Sequence, residues 1–341
     1  MCAAAAVYWD AVDLAKRRVD LYSGFRRAIC VRRRCGRPIV REEIFGMPRI
    51  RPEHERCVFF LLKNGEPNAT GFFVARMTMR GTSAHFYGIT NHHAAQASPG
   101  DTAIAVNPKV GRRRPIPAED HNWHWSIQDD LSAIDLTDSL TADDEFSYVS
   151  EGSFVTKPFM ERAGIAIGDE VFLVGLFIPE AGKDRNVASG RFGSLSILAS
   201  DDAPVRGYDS YPPRPRFVAD MRSRPGYSGS PVFIYRSAYV DLRAFADDDT
   251  YSVNHGTLAP AEPTFDTFVR FLGVDCAQYN EPTMVPKESP HIPGAMLVLP
   301  SAMTMIIPAW KISELLDAPK FEEMRNARDA IRRANSVANA T

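Results

Sequence analysis

From residue 57 onward the apolar residues come in short runs broken by glycine, asparagine and polar turns, with no sustained helical period until residue 309. The runs at 57–62, 71–77, 84–90, 102–106, 115–117 and 132–136 read as strands, the first closed by the turn pair Asn64-Gly65. Six short strands with turn signals between them predict a small closed barrel. Residues 138–165 open polar and acidic, with Asp138, Asp143, Asp144 and Glu145, and read as a connection. The short-strand style then resumes at 170–177, 187–198, 216–221, 231–235, 268–274 and 302–307, predicting a second barrel. After Ala309 the period becomes helical, with Ile312, Leu315 and Leu316 on one face, and the helix continues through the charged 321–333 region. The tail, 334–341, is expected to fray.

The predicted class is therefore all-β: two six-stranded antiparallel barrels, 47–150 and 151–308, followed by a C-terminal α-helix and tail, 309–341. Two stretches, 236–267 and 281–294, read as long surface connections, either loops that border a site or simple disorder.

Residues 1–46 are different in kind. Basic clusters stand at Lys16-Arg17-Arg18, Arg26-Arg27 and Arg32-Arg33-Arg34, without the apolar stretch of a secretory signal. Three readings stand: a basic surface helix, an arm that binds a partner, or a start codon upstream of the true one at Met47.

Bulk properties narrow the function. A chain of 341 residues with a net charge of −2 is not a general nucleic-acid binder, and no apolar run is long enough to span a membrane. The five cysteines, Cys2, Cys30, Cys35, Cys57 and Cys276, are odd in number and scattered, which points to a reducing, cytoplasmic compartment. His121-x-x-His124 has ligand-like spacing but no matching cysteine or carboxylate set, so no metal is expected. No phosphate-binding glycine loop or dinucleotide fingerprint is present, and no cofactor is expected.

The chemistry concentrates in three segments. Gly226-Tyr227-Ser228-Gly229-Ser230-Pro231 sets a serine between glycines just before an apolar strand, a setting that suits a nucleophile; alone it is an ordinary glycine-rich turn. Thr90-Asn91-His92-His93 ends a strand on two candidate bases. Asp129-Asp130 heads another strand, with Asp135 close by, and each aspartate taken singly reads as a surface charge. The order along the chain is histidine, aspartate, serine.

In these three segments the chain resembles the chymotrypsin-like (trypsin-like) serine peptidases, and most of all the standalone bacterial trypsin-like peptidases. Gly168 to Gly175, Arg191-Phe192-Gly193 and Met305-Ile306-Ile307-Pro308 extend the resemblance over about residues 50–315. It implies a chymotrypsin-like double barrel and cleavage of protein or peptide substrates. Within it, His93 is the base rather than His92, Asp130 the orienting acid, and Ser228 the nucleophile, with the N–H groups of Gly226 and Ser228 forming the oxyanion hole. Gly273, Val274 and Asp275 would pair with substrate backbone. Arg222, six residues before the serine, would sit at the floor of the pocket and favour an acidic substrate side chain; as a rival, it is a surface residue. The chain departs from the family at Tyr227, where zymogen-activated members carry an aspartate that pairs with a newly cut N-terminus. A site that needs no such cut is the expectation.

Overall fold

The computed structural model describes residues 26–31, 39–44, 50–77, 84–96, 102–119, 122–206, 212–236, 268–287 and 294–338. Residues 1–49 form one compact unit and 50–341 another. In the first, β1 (Arg26–Val31) and β2 (Ile39–Ile44) pair antiparallel, Arg26 opposite Ile44 and Val31 opposite Ile39. The helical reading gives way to a hairpin over these residues, where Ile29, Val31, Ile39 and Val40 favour extended backbone. The cluster at Lys16-Arg17-Arg18 and almost all of the 236–267 connection lie outside the described residues.

The second unit opens with α1 (Pro52–Arg56), then β3 (Val58–Lys63), β4 (Glu66–Met77) and β5 (Ala84–Asn91). The turn between β3 and β4 places Asn64 at φ 52° and Gly65 at φ 82°, the left-handed pair a tight hairpin needs. α2 (His92–Ala95), β6 (Thr102–Val106), β7 (Arg114–Pro117), β8 (Trp123–Ser126), β9 (Leu131–Asp135) and the short β10 (Val149–Ser150) complete this half. The sheet runs β7-β6-β3-β4-β5-β9-β8 antiparallel, with β10 added parallel on β4. It is a half-barrel of eight strands, where six in a closed ring were expected; β8 (Trp-His-Trp-Ser) and β10 (Val-Ser) carry no apolar run to announce them.

α3 (Lys157–Arg162), whose N-cap Thr156 accepts from the Phe159 N–H, leads into the second half. Here β11 (Glu170–Leu176), β12 (Ala188–Ile197), β13 (Phe217–Asp220), β14 (Pro231–Arg236), β15 (Phe268–Met284) and β16 (Met296–Pro308) close a six-stranded antiparallel barrel in the order β11-β12-β13-β16-β15-β14. The fold is thus mostly β, as the sequence predicts. The expected 281–294 surface connection is in part a ribbon, because β15 and β16 stay paired out to Met284 opposite Met296.

One aromatic-rich core joins the two halves. Phe72 of β4 meets Phe271 of β15 with ring centroids 5.2 Å apart, and Phe271 meets Phe233 of β14 at 5.7 Å. All three rings are buried, each contributing on the order of 2–3 kcal/mol of transfer free energy. A polar seam reinforces the junction: Asn186 donates through its backbone N–H to Asn107 Oδ1 (2.7 Å), and Arg185 pairs with Glu145 (2.6 Å).

Two helices follow, α4 (Trp310–Leu316) and α5 (Pro319–Ala338), divided at Asp317-Ala318 because the residue before a proline resists helical backbone. α5 runs through most of the expected frayed tail and docks back on the first half. Phe321 packs on Tyr87, Arg325 donates to the Tyr87 hydroxyl (3.1 Å), and Arg328 pairs with Asp135 of β9 (2.6 Å). Arg76 of β4 holds Glu151 and reaches Asp317 at the end of α4 (2.7 Å).

One buried group makes stability depend on pH. The His54 ring in α1 lies edge-on to Phe172 and Phe233, and among the described residues neither ring nitrogen has a hydrogen-bond partner. Burial lowers its pKa to about 4. The unfolded chain takes up a proton below its ordinary value of 6.5 while the fold refuses it, so stability is lost as pH falls from 6.5 towards 4. The loss should reach on the order of 3 kcal/mol. Thermal melts of His54→Leu across that range should show a flatter pH dependence than wild type; parallel curves would reject the assignment.

Candidate active site

β5 and β9 bring the first two residues together. Asn91, the last residue of β5, pairs with Leu131, so Asp130 lies beside the start of α2. Asp130 has φ 57°, a left-handed backbone that asparagine and aspartate tolerate better than most residues. Its N–H donates to Ile127 O (3.2 Å), and its carbonyl accepts from the His92 N–H (3.1 Å) and from Asn91 Nδ2 (3.2 Å). So held, the carboxylate faces His93. Oδ1 accepts from the His93 backbone N–H (3.0 Å), and the ring Nδ1 lies 2.9 Å from Oδ2 and 3.1 Å from Oδ1. Asp130 is 4% exposed while the His93 ring is open to solvent on its far side. A carboxylate only accepts, so a neutral His93 ring on it carries its proton at Nδ1 and turns the Nε2 lone pair outward.

The neighbouring candidates go elsewhere. His92 is buried against Trp125, ring centroids 5.3 Å apart, and burial lowers its pKa. Asp129 accepts from Ser126 Oγ, and Asp135 is taken by Arg328. His124 packs edge-on to Phe321, while His121 lies outside the described residues. Among the described residues no cluster of histidine, cysteine, aspartate or glutamate is arranged to hold a metal ion.

The serine segment consists of two turns clamped onto the first half. Tyr227 N–H donates to Arg224 O and Ser230 N–H to Tyr227 O. Thr70 of β4 is the anchor: its N–H donates to Ser228 O (3.1 Å), its hydroxyl donates to Gly226 O (2.7 Å), and its carbonyl accepts from Thr90 Oγ1 (2.7 Å). Thr90 lies three residues before His93 on the chain that ends in α2, so the serine turn and the His93 imidazole share one support. Gly229, at φ 86°, passes so close to Thr70 O and the Thr90 hydroxyl that any side chain would overlap them. Neither Thr70 nor Thr90 stands out in the sequence, since a threonine in a strand is ordinary.

Gly226 has φ 100°, and among the described residues neither its N–H nor that of Ser228 donates a hydrogen bond. Among the described residues the Ser228 hydroxyl makes no hydrogen bond either. Tyr227 is wholly buried, its hydroxyl 2.5 Å from Ser189 Oγ and 3.2 Å from Arg191 Nε, with the Arg191 guanidinium over its ring. The turn is thus anchored by a phenol inside the second barrel.

The expected substrate contacts need correction. Arg222 is exposed, so its guanidinium does not form a buried pocket floor; the buried neighbour is Ser223. Gly273 and Val274 are occupied on both sides, by Val232 and Pro231 of β14 and by Pro308 and Ile307 of β16. Asp275 gives its N–H to Ser230 O and its carbonyl to the Gly229 N–H (2.9 Å each). The β15 backbone that keeps a partner on the β16 side alone begins further along, at Ala277. Cys276 is buried, its thiol pushed up to about 12 by desolvation, which leaves it a poor nucleophile.

No family model and no curated protein matches this sequence. The solved structures that match this chain include a protease of the HtrA type. One is an inactive serine-to-alanine mutant of Rv3671c from M. tuberculosis H37Rv, at 12% identity and a TM-score of 0.39, the match covering 77% of this chain and 87% of that one. Another is the HtrA-type protease AlgW with a decapeptide, at 13% identity and a TM-score of 0.39, covering 78% of this chain and 66% of that one.

Proposed function

We propose that this protein is a trypsin-like serine endopeptidase that cleaves protein or peptide substrates through an acyl-enzyme on Ser228. The observation that carries the reading is the His93 imidazole fixed by Asp130, on the same support that holds the serine turn. His93 Nε2 takes the Ser228 proton as Oγ attacks the scissile carbonyl, and the Gly226 and Ser228 N–H groups receive the negative oxygen. The imidazolium returns the proton to the leaving amine, the C–N bond breaks, and water repeats the sequence to release the acid and free the serine. The Ser228 hydroxyl is not yet bonded to His93; in free enzymes such contacts are often loose and tighten with substrate. The chemistry calls for no cofactor. An extended substrate would add alongside β15 from Ala277 onward.

The anchored Tyr227 favours a turn shaped without N-terminal cleavage. The free, buried Cys57 and Cys276 fit a reducing cytoplasm, and among the described residues no helix is long and apolar enough to cross a membrane. The basic residues before 47 remain a candidate partner-binding arm.

A fluorophosphonate probe tests the reading, since it bonds only to an activated serine. Mass spectrometry should place the adduct on Ser228 of the untreated protein. An unlabelled protein would favour the rival reading, an idle module that binds peptides in the same groove.

A further inference from the structure

We infer, on the basis of the peptidase reading above, that Arg216 is a specificity-determining residue: with Arg214 beside it on the chain, its buried guanidinium receives the carboxylate of an aspartate or glutamate side chain of the substrate. Arg216 comes just before β13 and is 3% exposed. Its Nη1 lies 2.8 Å from the Cys276 sulfur, and its Nε, also buried, has no partner among the described residues. An arginine cannot discharge itself by losing a proton, so a buried guanidinium needs both acceptors and a counter-charge. Cys276 is a poor substitute. Burial keeps its thiol neutral, sulfur is a weak acceptor, and the thiol's own proton is given to Met305 O (3.3 Å). Among the described residues Arg216 forms no ion pair. The two buried carboxylates of the site are committed: Asp275 takes the Ser223 and Thr304 hydroxyls, and Asp130 holds His93.

Arg214 repeats the pattern two residues earlier. Pro215 after it favours extended backbone, and an antiparallel bridge to Val205 fixes it there. Its Nη2 donates to Gln128 Oε1 (2.6 Å), two residues before Asp130, while its Nε is buried without a partner. Among the described residues it too forms no ion pair. An incoming carboxylate offsets both charges, and its two oxygens match the fork of a guanidinium.

The position suits a substrate. Phe217 and Ile306 fill the second barrel, whereas Val218, Cys276 and Met305 belong to the core that joins the two halves. Arg216 alternates with Phe217 and so faces outward with Val218, where it meets Cys276. Cys276 directly follows Asp275, whose backbone is bonded to Gly229 and Ser230, the residues after Ser228. It directly precedes Ala277, from which β15 keeps a partner on the β16 side alone. Neighbouring strands lie about 4.8 Å apart, so a peptide laid there passes within a side chain's length of the group that touches Cys276. The acidic preference that Arg222 cannot supply thus falls to Arg216. In the sequence, Pro212-Pro213-Arg214-Pro215-Arg216 reads as a solvated approach to a strand, and nothing local shows that its last arginine is buried.

A peptide library in which aspartate and glutamate are exchanged for asparagine and glutamine at each position, read by mass spectrometry, tests the assignment. In the wild type, acidic members should exceed their amide counterparts about ten- to hundredfold in kcat/KM at one position near the cleaved bond. In Arg216→Met that ratio should fall to near one, and Arg214→Met should lower it as well. A ratio measured within one enzyme sample is independent of how much of it is folded, so a merely structural role would lower both rates and leave the ratio in place. If Arg216→Met does not fold, as judged by near-UV circular dichroism, the wild-type ratio and Arg214→Met decide. A preference that disappears when the peptide C-termini are amidated overturns the side-chain assignment. A wild type that cleaves without acidic preference, or a preference undiminished in the folded variants, overturns the role of Arg216 and leaves the peptidase standing. A wild type that neither cleaves nor takes the fluorophosphonate overturns the peptidase reading, and this site with it.

Discussion

Ser228→Ala is expected to lower turnover by about 10⁶ and to abolish fluorophosphonate labelling, with little change in melting temperature. The change removes one oxygen that bonds to nothing among the described residues. What shapes the turn is untouched: Gly226 and Gly229 keep their positive φ angles, Thr70 still donates to the Ser228 carbonyl, and Tyr227 stays rooted between Ser189 and Arg191. The oxyanion donors are backbone groups and survive, so a residual acceleration over water of about 10³–10⁴ should remain. A peptide library read by mass spectrometry is the suitable assay, because it reports cleavage and side-chain preference together. Undiminished cleavage by the alanine variant would end the proposed mechanism.

Asp130→Asn should cost about 10⁴ in turnover while the protein folds normally. Asparagine accepts φ near 57° as readily as aspartate, and its amide oxygen can still receive the His93 backbone N–H. What fails is the polarity of the ring contact. A carboxylate only accepts, so Nδ1 must carry the proton; a carboxamide can present its NH₂ to Nδ1, which moves the proton to Nε2 and blocks the base. The separation of effects is the test: a steep fall in rate beside an unchanged melt. Near-wild-type turnover would show that Asp130 does not orient the base.

Much of this was legible because the relevant physics is local. Short apolar runs between turns announced most strands of both sheets, and the segments around His93, Asp130 and Ser228 are each built from neighbours in sequence. What was missed depends on distant pairing. Nothing local marks Thr70 and Thr90 as the seat of the serine turn, or Tyr227 as its root, because their partners lie far along the chain. Arg222 was placed by counting back from the serine, and a count cannot tell which side chain turns inward; Ser223 did. The ribbon of β15 and β16 escaped notice for another reason. Met284, Met296 and Val298 are exposed there, so no buried face imposes alternation on its sequence.

The helix that follows the second barrel belongs, by its contacts, to the first, since Phe321, Arg325 and Arg328 all bind β5 or β9. Neither half is therefore a portable module. A graft of the histidine-bearing sheet alone would leave Tyr87 and Asp135 uncovered, and a graft of the serine-bearing barrel would carry a helix with nothing to hold. The unit that can be moved between proteins is the pair of halves with the closing helix, inherited together.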